Sequence, residues 1–488
     1  MRVRDAIVAA CAGVVLALAF PKVGVAFFAP VGAAALFWTW RDASWKRAFG
    51  LGWFAGLIFF SIACSWAGYT VGPYLGAFAP AVVLVPAAYL GLFFGAAGAA
   101  TSWARARAPR WAGPLVFAAA FAFFEWLRSI GTFGVPFGQL GTSQVGAPLA
   151  PLGAFAGTFG ITFVLCALGG ALADSLLRRT WRPIAGYAIA TVALCALAWT
   201  FWPARFAAPP TVRVAAIQGD IAQSLKWTPG AAVVAIDRYE AQTRTLAAFH
   251  PQLVVWPETA VAEPLNRDPR TLARLSDLSR DVNATLVVGA QRYQAPRGIY
   301  NSLYIFDHGS LTDIYDKRQM VPIVETMPPF LAWLPYVSDL GGGAMSAGTR
   351  DSVYSAGGLR FAPLICWETG FADVAHAQVR NGAQVLVVAT DDAWFGETAG
   401  PPMHAQISQM TAIENGMWMV RAASTGVSGI IAPDGSYAAR ADLDVQAVVR
   451  GTVGLPPGSL YARTGPLPIA AFFVLLYAGL VWRRRADA

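Results

Sequence analysis

At 488 residues, with 56% of them hydrophobic, 13% charged and a mean hydropathy of +0.48, the chain is too apolar for a water-soluble protein of its length. The net charge of +8 raises nucleic acid as a partner, but the arginines gather in short loops between apolar runs. That is the pattern of membrane orientation, and nucleic acid is set aside. The five cysteines, Cys11, Cys64, Cys166, Cys195 and Cys366, make neither a disulfide framework nor a spaced Cys/His set for zinc.

In chain order, Met1-Arg2-Val3-Arg4 opens an apolar run to about residue 20. A second run, 25–40, follows at once, with no small-residue cleavage site leading into soluble sequence, so the first run reads as a membrane span and not a signal peptide. Runs at 49–69, 78–100, 112–126, 151–172 and 184–202 bring the number to seven. Each is long enough, or nearly so, to cross about 30 Å of hydrocarbon. An eighth occupies 467–482, with Pro466 and Pro468 at its entry. The expected architecture is a membrane protein with about eight transmembrane helices: a seven-helix bundle over 1–205, a water-facing domain over 211–458 and a C-terminal helix over 466–483.

Basic residues assign the sides. Arg2 and Arg4, then Arg41, Lys46 and Arg47, then Arg105, Arg107 and Arg110, then Arg178, Arg179 and Arg182, then Arg483 to Arg485 alternate with loops holding only Lys22 and Arg128. The positive-inside rule then puts both termini in the cytoplasm and the 211–458 region on the opposite face. At the end of the fifth run, Glu125 and Arg128 stand three apart on one helical face before a Gly- and Phe-rich loop. They read either as an interfacial anchor with a snorkelling ion pair, or as part of a lipid-facing entrance.

From 211 to about 458 short β-rich runs alternate with helical ones. Strands are expected at 212–218, 252–256, 285–289, 302–306, 359–365, 385–389, 417–423 and 427–431, and helices at 231–249, 269–281, 371–379 and 403–415. Such alternation points to a layered α/β sandwich. Within it the run Phe361-Ala362-Pro363-Leu364-Ile365 ends at Cys366, the only cysteine after Pro209. A lone cysteine reads more readily as a buried structural residue, but it has company. An apolar strand ending in Trp256-Pro257 delivers Glu258, and Asp313-Ile314-Tyr315-Asp316 delivers Lys317, one of only four lysines in a chain that otherwise uses arginine.

Acyl transfer by a thiol needs a carboxylate to take the proton, for which Glu258 is suited, because the thiolate is the nucleophile. It also needs donors for the tetrahedral oxyanion, which the Lys317 ammonium and the amide of Trp367 can supply. The four histidines, His250, His308, His376 and His404, stand in no comparable strand-end motif.

The chain resembles the nitrilase superfamily with its Glu-Lys-Cys triad and, within it, the bacterial apolipoprotein N-acyltransferases. The resemblance runs through Glu125-Trp126-Leu127-Arg128, Ile217-Gln218-Gly219-Asp220, Ser224-Leu225-Lys226-Trp227, Trp256-Pro257-Glu258-Thr259, Tyr300-Asn301-Ser302-Leu303, Tyr315-Asp316-Lys317-Arg318 and Asp392-Ala393-Trp394-Phe395-Gly396. It implies an extracytoplasmic αββα sandwich in a bacterial inner membrane. It also implies a two-step reaction without cofactor or metal, carried out by a monomer: an acyl chain passes from a phospholipid, typically phosphatidylethanolamine, to a cysteine thioester, and then to the α-amino group of a diacylglyceryl-cysteine on an apolipoprotein.

Position by position, the resemblance implies Glu258 as base, Lys317 as oxyanion stabiliser and Cys366 as nucleophile. Glu325 corresponds to the family's second glutamate, and Glu368, Asn301 and the lipid-facing Trp227 also match. The chain departs from the family where Ile323-Val324-Glu325-Thr326-Met327 replaces the usual Phe-Gly-Glu-Tyr-Val, where Trp367 replaces a tyrosine, and where Asp391 and Ser424 stand for asparagines. A membrane-tethered amidase using water as acceptor would carry the same triad.

Overall fold

The computed structural model describes residues 3–69, 76, 79–202, 211–226, 228, 230–326, 345–350, 352–356 and 358–486. The chain divides into two compact units, one of Met1–Trp202, Thr398–Met410 and Thr464–Ala488, the other of Pro203–Glu397 and Thr411–Arg463.

The first unit carries, among the described residues, eight apolar helices: α1 (Val3–Ala17), α2 (Phe28–Trp40), α3 (Trp45–Ala63), α4 (Ala79–Arg105), α5 (Gly113–Arg128), α6 (Gly153–Arg178), α7 (Arg182–Phe201) and a C-terminal helix, Pro466–Ala486. They correspond one for one to the eight apolar runs. Four segments, Trp45–Ala63, Pro80–Arg105, Ala150–Arg178 and Arg182–Phe201, are long and apolar enough to cross a bilayer by themselves. Phe28–Trp40 has 13 residues and reaches only about 20 Å at about 1.5 Å per residue, short of a full hydrocarbon crossing. Small residues allow close helix packing. A Cβ on Gly56 of α3 would lie 2.8 Å from Gly91 Cα of α4, so these two backbones meet where neither has a side chain.

Glu125 and Arg128 do not form the snorkelling ion pair of an interfacial anchor. They are 3% and 1% exposed. Glu125 Oε1 accepts from the Leu140 amide at 2.8 Å and Oε2 from the Thr162 hydroxyl at 2.5 Å. Arg128 donates to the carbonyls of Val135 and Phe137 at 2.6 and 2.9 Å, its guanidinium 5.0 Å from the centroid of Phe60. A charged pair inside an apolar bundle must find polar partners. Here the partners are the Thr162 hydroxyl of α6 and backbone groups of the segment after α5, which the pair fastens to the helices.

The second unit is a sandwich of two mixed sheets. The strands are β1 (Thr211–Gln218), β2 (Leu253–Val255), β3 (Val261–Pro264), β4 (Thr285–Gln294), β5 (Gly298–Asp307), β6 (Ser310–Asp316), β7 (Tyr354–Ala356), β8 (Leu359–Ile365), β9 (Val385–Thr390), β10 (Met419–Ala423), β11 (Ser428–Ile431), β12 (Tyr437–Ala441) and β13 (Ala447–Gly454). One sheet runs β13-β1-β2-β4-β5-β6, with β3 on β4; the other runs β12-β11-β10-β9-β8-β7.

Alternation along each strand explains the layers. Val212, Val214, Leu253, Val255, Val287, Leu303 and Ile305 point into the space between the sheets, where they meet Phe361, Ile365, Val385, Val387 and Val420. The intervening Ala215, Ile217, Val254, Trp256, Leu286, Val288, Tyr304 and Phe306 point the other way, onto Tyr239, Leu275 and Leu278. Both faces of the first sheet are buried, which is why its strands read as continuous apolar runs.

Among the helices are α8 (Gln223–Lys226), α9 (Ala231–Arg244), α10 (Pro269–Asp281), α11 (Ala372–Arg380) and α12 (Gly400–Asn415). Asp268 caps α10 by accepting from the amides of Arg270 and Thr271, with Pro269 at the first helical position. That cap contributes about 1 kcal/mol. The helix expected over 231–249 ends at Arg244 and is followed by a short tight turn, Ala247–Phe249, before His250 enters the left-handed region at φ 49°.

Candidate active site

The sheet directions decide where the reactive groups fall. β2 and β4 are parallel, β5 is antiparallel to β4 and β6 antiparallel to β5, so β2, β4 and β6 end on the same side. In the second sheet β8, β9 and β10 are mutually parallel. Glu258 comes three residues after β2, while Lys317 directly follows β6, Cys366 follows β8 and Asp391 follows β9. Glycine makes room for the backbone that carries the carboxylate: a Cβ on Gly289 of β4 would lie 2.1 Å from the Pro257 carbonyl oxygen and 2.7 Å from Glu258 Cα.

Glu258, Asn301, Lys317 and Glu325 form one hydrogen-bonded cluster. Glu258 Oε1 accepts from Asn301 Nδ2 at 2.6 Å and from Lys317 Nζ at 3.3 Å, and Oε2 accepts from the Asp391 amide at 2.8 Å. Lys317 Nζ also donates to Glu325 Oε1 at 2.7 Å, an oxygen that Asn301 Nδ2 reaches at 3.2 Å. Glu325 Oε2 accepts from the Val321 amide, tying the carboxylate to the turn that carries it. Lys317 itself is placed through its backbone, its amide donating to the Asn301 carbonyl at 2.8 Å and its carbonyl accepting from Gly348 at 2.7 Å.

Cys366 sits at the sandwich end with φ 49°, a left-handed backbone that a non-glycine residue adopts at a cost. It is half-buried and packs against the inter-sheet core. Glu368, fully buried, joins the cysteine turn to the lysine turn. Its Oε1 accepts from the amides of Arg318 and Gln319 at 2.7 and 3.1 Å, its Oε2 from the Ile365 amide at 2.8 Å, and both from the Tyr315 hydroxyl at 2.9 and 3.0 Å. Trp367 is buried, its ring centroid 6.1 Å from that of Phe371. Trp227, matched to the lipid-facing part of the site, lies outside the described residues.

Electrostatics follow from this packing. Burial works to raise the Glu258 carboxyl, but Lys317, Asn301, Lys226 and the Asp391 amide hold it below the usual range. Burial works to lower the Lys317 ammonium, yet Glu258, Glu325 and the cysteine raise it above the ordinary lysine value. The Cys366 thiol is pushed well up by burial and by Glu258, with Lys317 and the Thr390 hydroxyl pulling the other way. At rest the site therefore holds a carboxylate, an ammonium and an un-ionised thiol.

Two buried charge pairs lie beside this cluster, and sequence spacing does not reveal them. Lys226 meets Asp391 at 2.5 Å. Arg421 donates to Asp392 Oδ2 at 2.9 Å, while Thr390 donates to Asp392 Oδ1 at 2.9 Å. The scarcity of lysine was the available signal for Lys226, the only lysine besides Lys317 after residue 209. Ser424 accepts from the Asp220 amide through its carbonyl at 3.0 Å, joining the ends of β1 and β10.

Residues 213–456 match the carbon-nitrogen hydrolase family, and residues 12–171 match the apolipoprotein N-acyltransferase N-terminal domain. Among curated relatives, the apolipoprotein N-acyltransferase of Methylococcus capsulatus is 32% identical, covering 98% of this chain and 95% of that one. The enzyme of the same name from Azotobacter vinelandii is 33% identical, covering 99% and 95%. Among solved structures, an amidase from Nesterenkonia sp. AN1 aligns at 19% identity and a TM-score of 0.41, covering 54% of this chain and 96% of that one. Matched over both regions and along nearly its whole length to such relatives, the chain belongs to the apolipoprotein N-acyltransferase family.

Proposed function

We propose that this protein moves an acyl chain from a phospholipid, phosphatidylethanolamine being the expected donor, onto Cys366 and from there onto the α-amino group of the N-terminal diacylglyceryl-cysteine of apolipoproteins. The observation that carries the reading is the convergence of Glu258, Lys317 and Cys366 at the strand ends of a chain related along nearly its whole length to apolipoprotein N-acyltransferases.

In the first step the Cys366 sulfur attacks the ester carbonyl of the donor. The raised thiol and the lowered Glu258 carboxyl make prior ionisation unfavourable, so the proton leaves sulfur for Glu258 as the C–S bond forms. The developing oxyanion is met by the Lys317 ammonium, already held by Glu258 and Glu325, and by the Trp367 amide; a donor of this kind contributes roughly 3 to 4 kcal/mol. The C–O bond breaks and Glu258 returns the proton to the departing lysophospholipid. In the second step the acceptor amine attacks the thioester, the N–C bond forms, the C–S bond breaks, and Glu258 carries the amine proton back to sulfur. Because both substrates use one thiol in turn, the kinetics are ping-pong.

Both substrates are lipids, which gives the apolar helices their purpose. All eight helices belong to the membrane in this reading, with both termini cytoplasmic, the 211–458 domain outside and the chain acting as a monomer in a bacterial inner membrane. The two-step reading is tested by incubating full-length enzyme with phosphatidylethanolamine alone. It expects about one equivalent of lysophospholipid, with turnover only after a diacylglyceryl peptide bearing a free α-amine is added. Steady release of free fatty acid without that peptide would make the protein a hydrolase.

A further inference from the structure

The turn after Glu258 is gripped by a charge pair separate from the triad. Lys226, ending α8, is 5% exposed, and Asp391, following β9, is 1% exposed. Lys226 Nζ donates to Asp391 Oδ2 at 2.5 Å, to Thr259 Oγ1 at 2.8 Å and to the Glu258 carbonyl oxygen at 3.3 Å. All three ammonium protons are thus directed at Asp391 and at the two residues of the turn. Asp391 then closes the circuit by donating its amide to Glu258 Oε2 at 2.8 Å. Glu258 is therefore held from its carbonyl by Lys226 and from its carboxylate by Asp391.

Thr259 supplies an independent sign that the turn is held in place. Its φ is 44°, a left-handed conformation in which a β-branched residue is an outlier and persists only where neighbours hold it. The one side-chain bond made by its hydroxyl among the described contacts is the one from Lys226. The pair is also a full ion pair, with both side chains buried.

We propose that Lys226 and Asp391 are positioning residues for the acylation step: their buried ion pair clamps the turn after Glu258 and holds its carboxylate in place beside Lys317. This rests on the reading of Glu258 as proton acceptor. The groups that face Glu258 are Lys317 after β6, with Glu325 behind it, Asn301 of β5, Cys366 after β8, Asp391 after β9 and Lys226 of α8; Tyr239 of α9 faces Asp391, and Asp392 faces Cys366. Lys226 favours the ionised form of Glu258, and the Asp391 carboxylate opposes it. Removing one partner and removing the other therefore act on Glu258 in opposite senses.

The test measures the rate of Cys366 acylation against pH, by rapid quench and intact mass, with the full-length protein and phosphatidylethanolamine in detergent micelles. Lys226→Met leaves two buried carboxylates short of one cation, and the acid limb of the profile moves up by about one pH unit or more. Asp391→Asn leaves the cation without its anion, and the limb moves down. The double variant returns it toward the wild-type position, and Thr259→Gly, which adopts positive φ freely, restores part of the rate lost in Lys226→Met.

A purely structural role would lower thermal stability and leave the limb where it is. Limbs that stay in place in both single variants, or move the same way, overturn the proposal. If Lys226→Met does not accumulate, an unmoved limb in Asp391→Asn alone does so. Glu258→Gln must abolish the limb. A limb that survives it overturns the reading of Glu258 as base together with this proposal, whereas a limb lost in Glu258→Gln yet indifferent to Lys226 and Asp391 overturns this proposal alone.

Discussion

Replacing Glu258 by glutamine keeps the size of the side chain and removes its charge. In the wild type both carboxylate oxygens accept, one from Asn301 Nδ2 at 2.6 Å and Lys317 Nζ at 3.3 Å, the other from the Asp391 amide at 2.8 Å. A glutamine with its oxygen toward Asn301 and Lys317 turns its NH₂ toward the Asp391 amide, donor against donor. One buried donor left unmade costs about 1 to 3 kcal/mol. Lys317 keeps Glu325 at 2.7 Å, so its charge stays partnered and the fold persists.

The rate pays a larger penalty. Without a proton acceptor the first step loses about 10²- to 10⁴-fold, which is ~2.7 to 5.4 kcal/mol at about 1.36 kcal/mol per decade. The assay is single-turnover acylation of Cys366 followed by intact mass, with a thermal melt of the same preparation. Acylation at the wild-type rate in a folded Glu258→Gln protein would refute the reasoning and place the base elsewhere.

Arg421→Met breaks an ion pair in which both side chains are fully buried, stranding Asp392 and the Val427 carbonyl. A loss of about 3 to 5 kcal/mol follows, seen as a lower melting temperature in detergent, and a melt like the wild type would contradict it. For acid stability the sign comes from Glu258, whose carboxyl is held below its ordinary value of 4.5. Its stabilisation is complete above that value and is lost as pH falls through the depressed one. Melting temperature should therefore fall less steeply with acid in Glu258→Gln than in the wild type, and parallel curves would count against the charged cluster. Reporter fusions after Ala488 and within 211–458 should report opposite faces of the membrane, with the C-terminus cytoplasmic; a C-terminal reporter active outside would refute the eight-span topology.

Much of the catalytic unit was legible because its signals are local. The strand ends carrying Glu258 and Cys366 are written as apolar runs stopped by a reactive residue, whereas β6 before Lys317 mixes polar and apolar positions, and the structure brings Glu258 and Lys317 within 3.3 Å. Strands β3, β7, β12 and β13 were not legible: they have three to eight residues, and β12 alternates half-buried and exposed positions with Arg440 among them. They exist because neighbouring strands pair with them, as β1 does with β13 over eight residues.

Lys226 with Asp391 and Arg421 with Asp392 were invisible as pairs because 165 and 29 residues separate their members. Glu125 and Arg128 show the opposite limit. Their spacing on one helical face was correct, but their partners, Leu140, Val135, Phe137 and Thr162, come from the following segment and a later helix, and spacing cannot reveal them.

The central claim is that Cys366 carries an acyl group that waits for an amine. Its direct measurement is the intact mass of the full-length protein after incubation with phosphatidylethanolamine, before and after addition of a diacylglyceryl peptide whose α-amine is either free or blocked. The account predicts one acyl adduct that is absent in Cys366→Ala, persists with the blocked peptide and disappears with the free one as the peptide gains the same mass. An adduct that forms in Cys366→Ala, or one that discharges equally with both peptides, would contradict it.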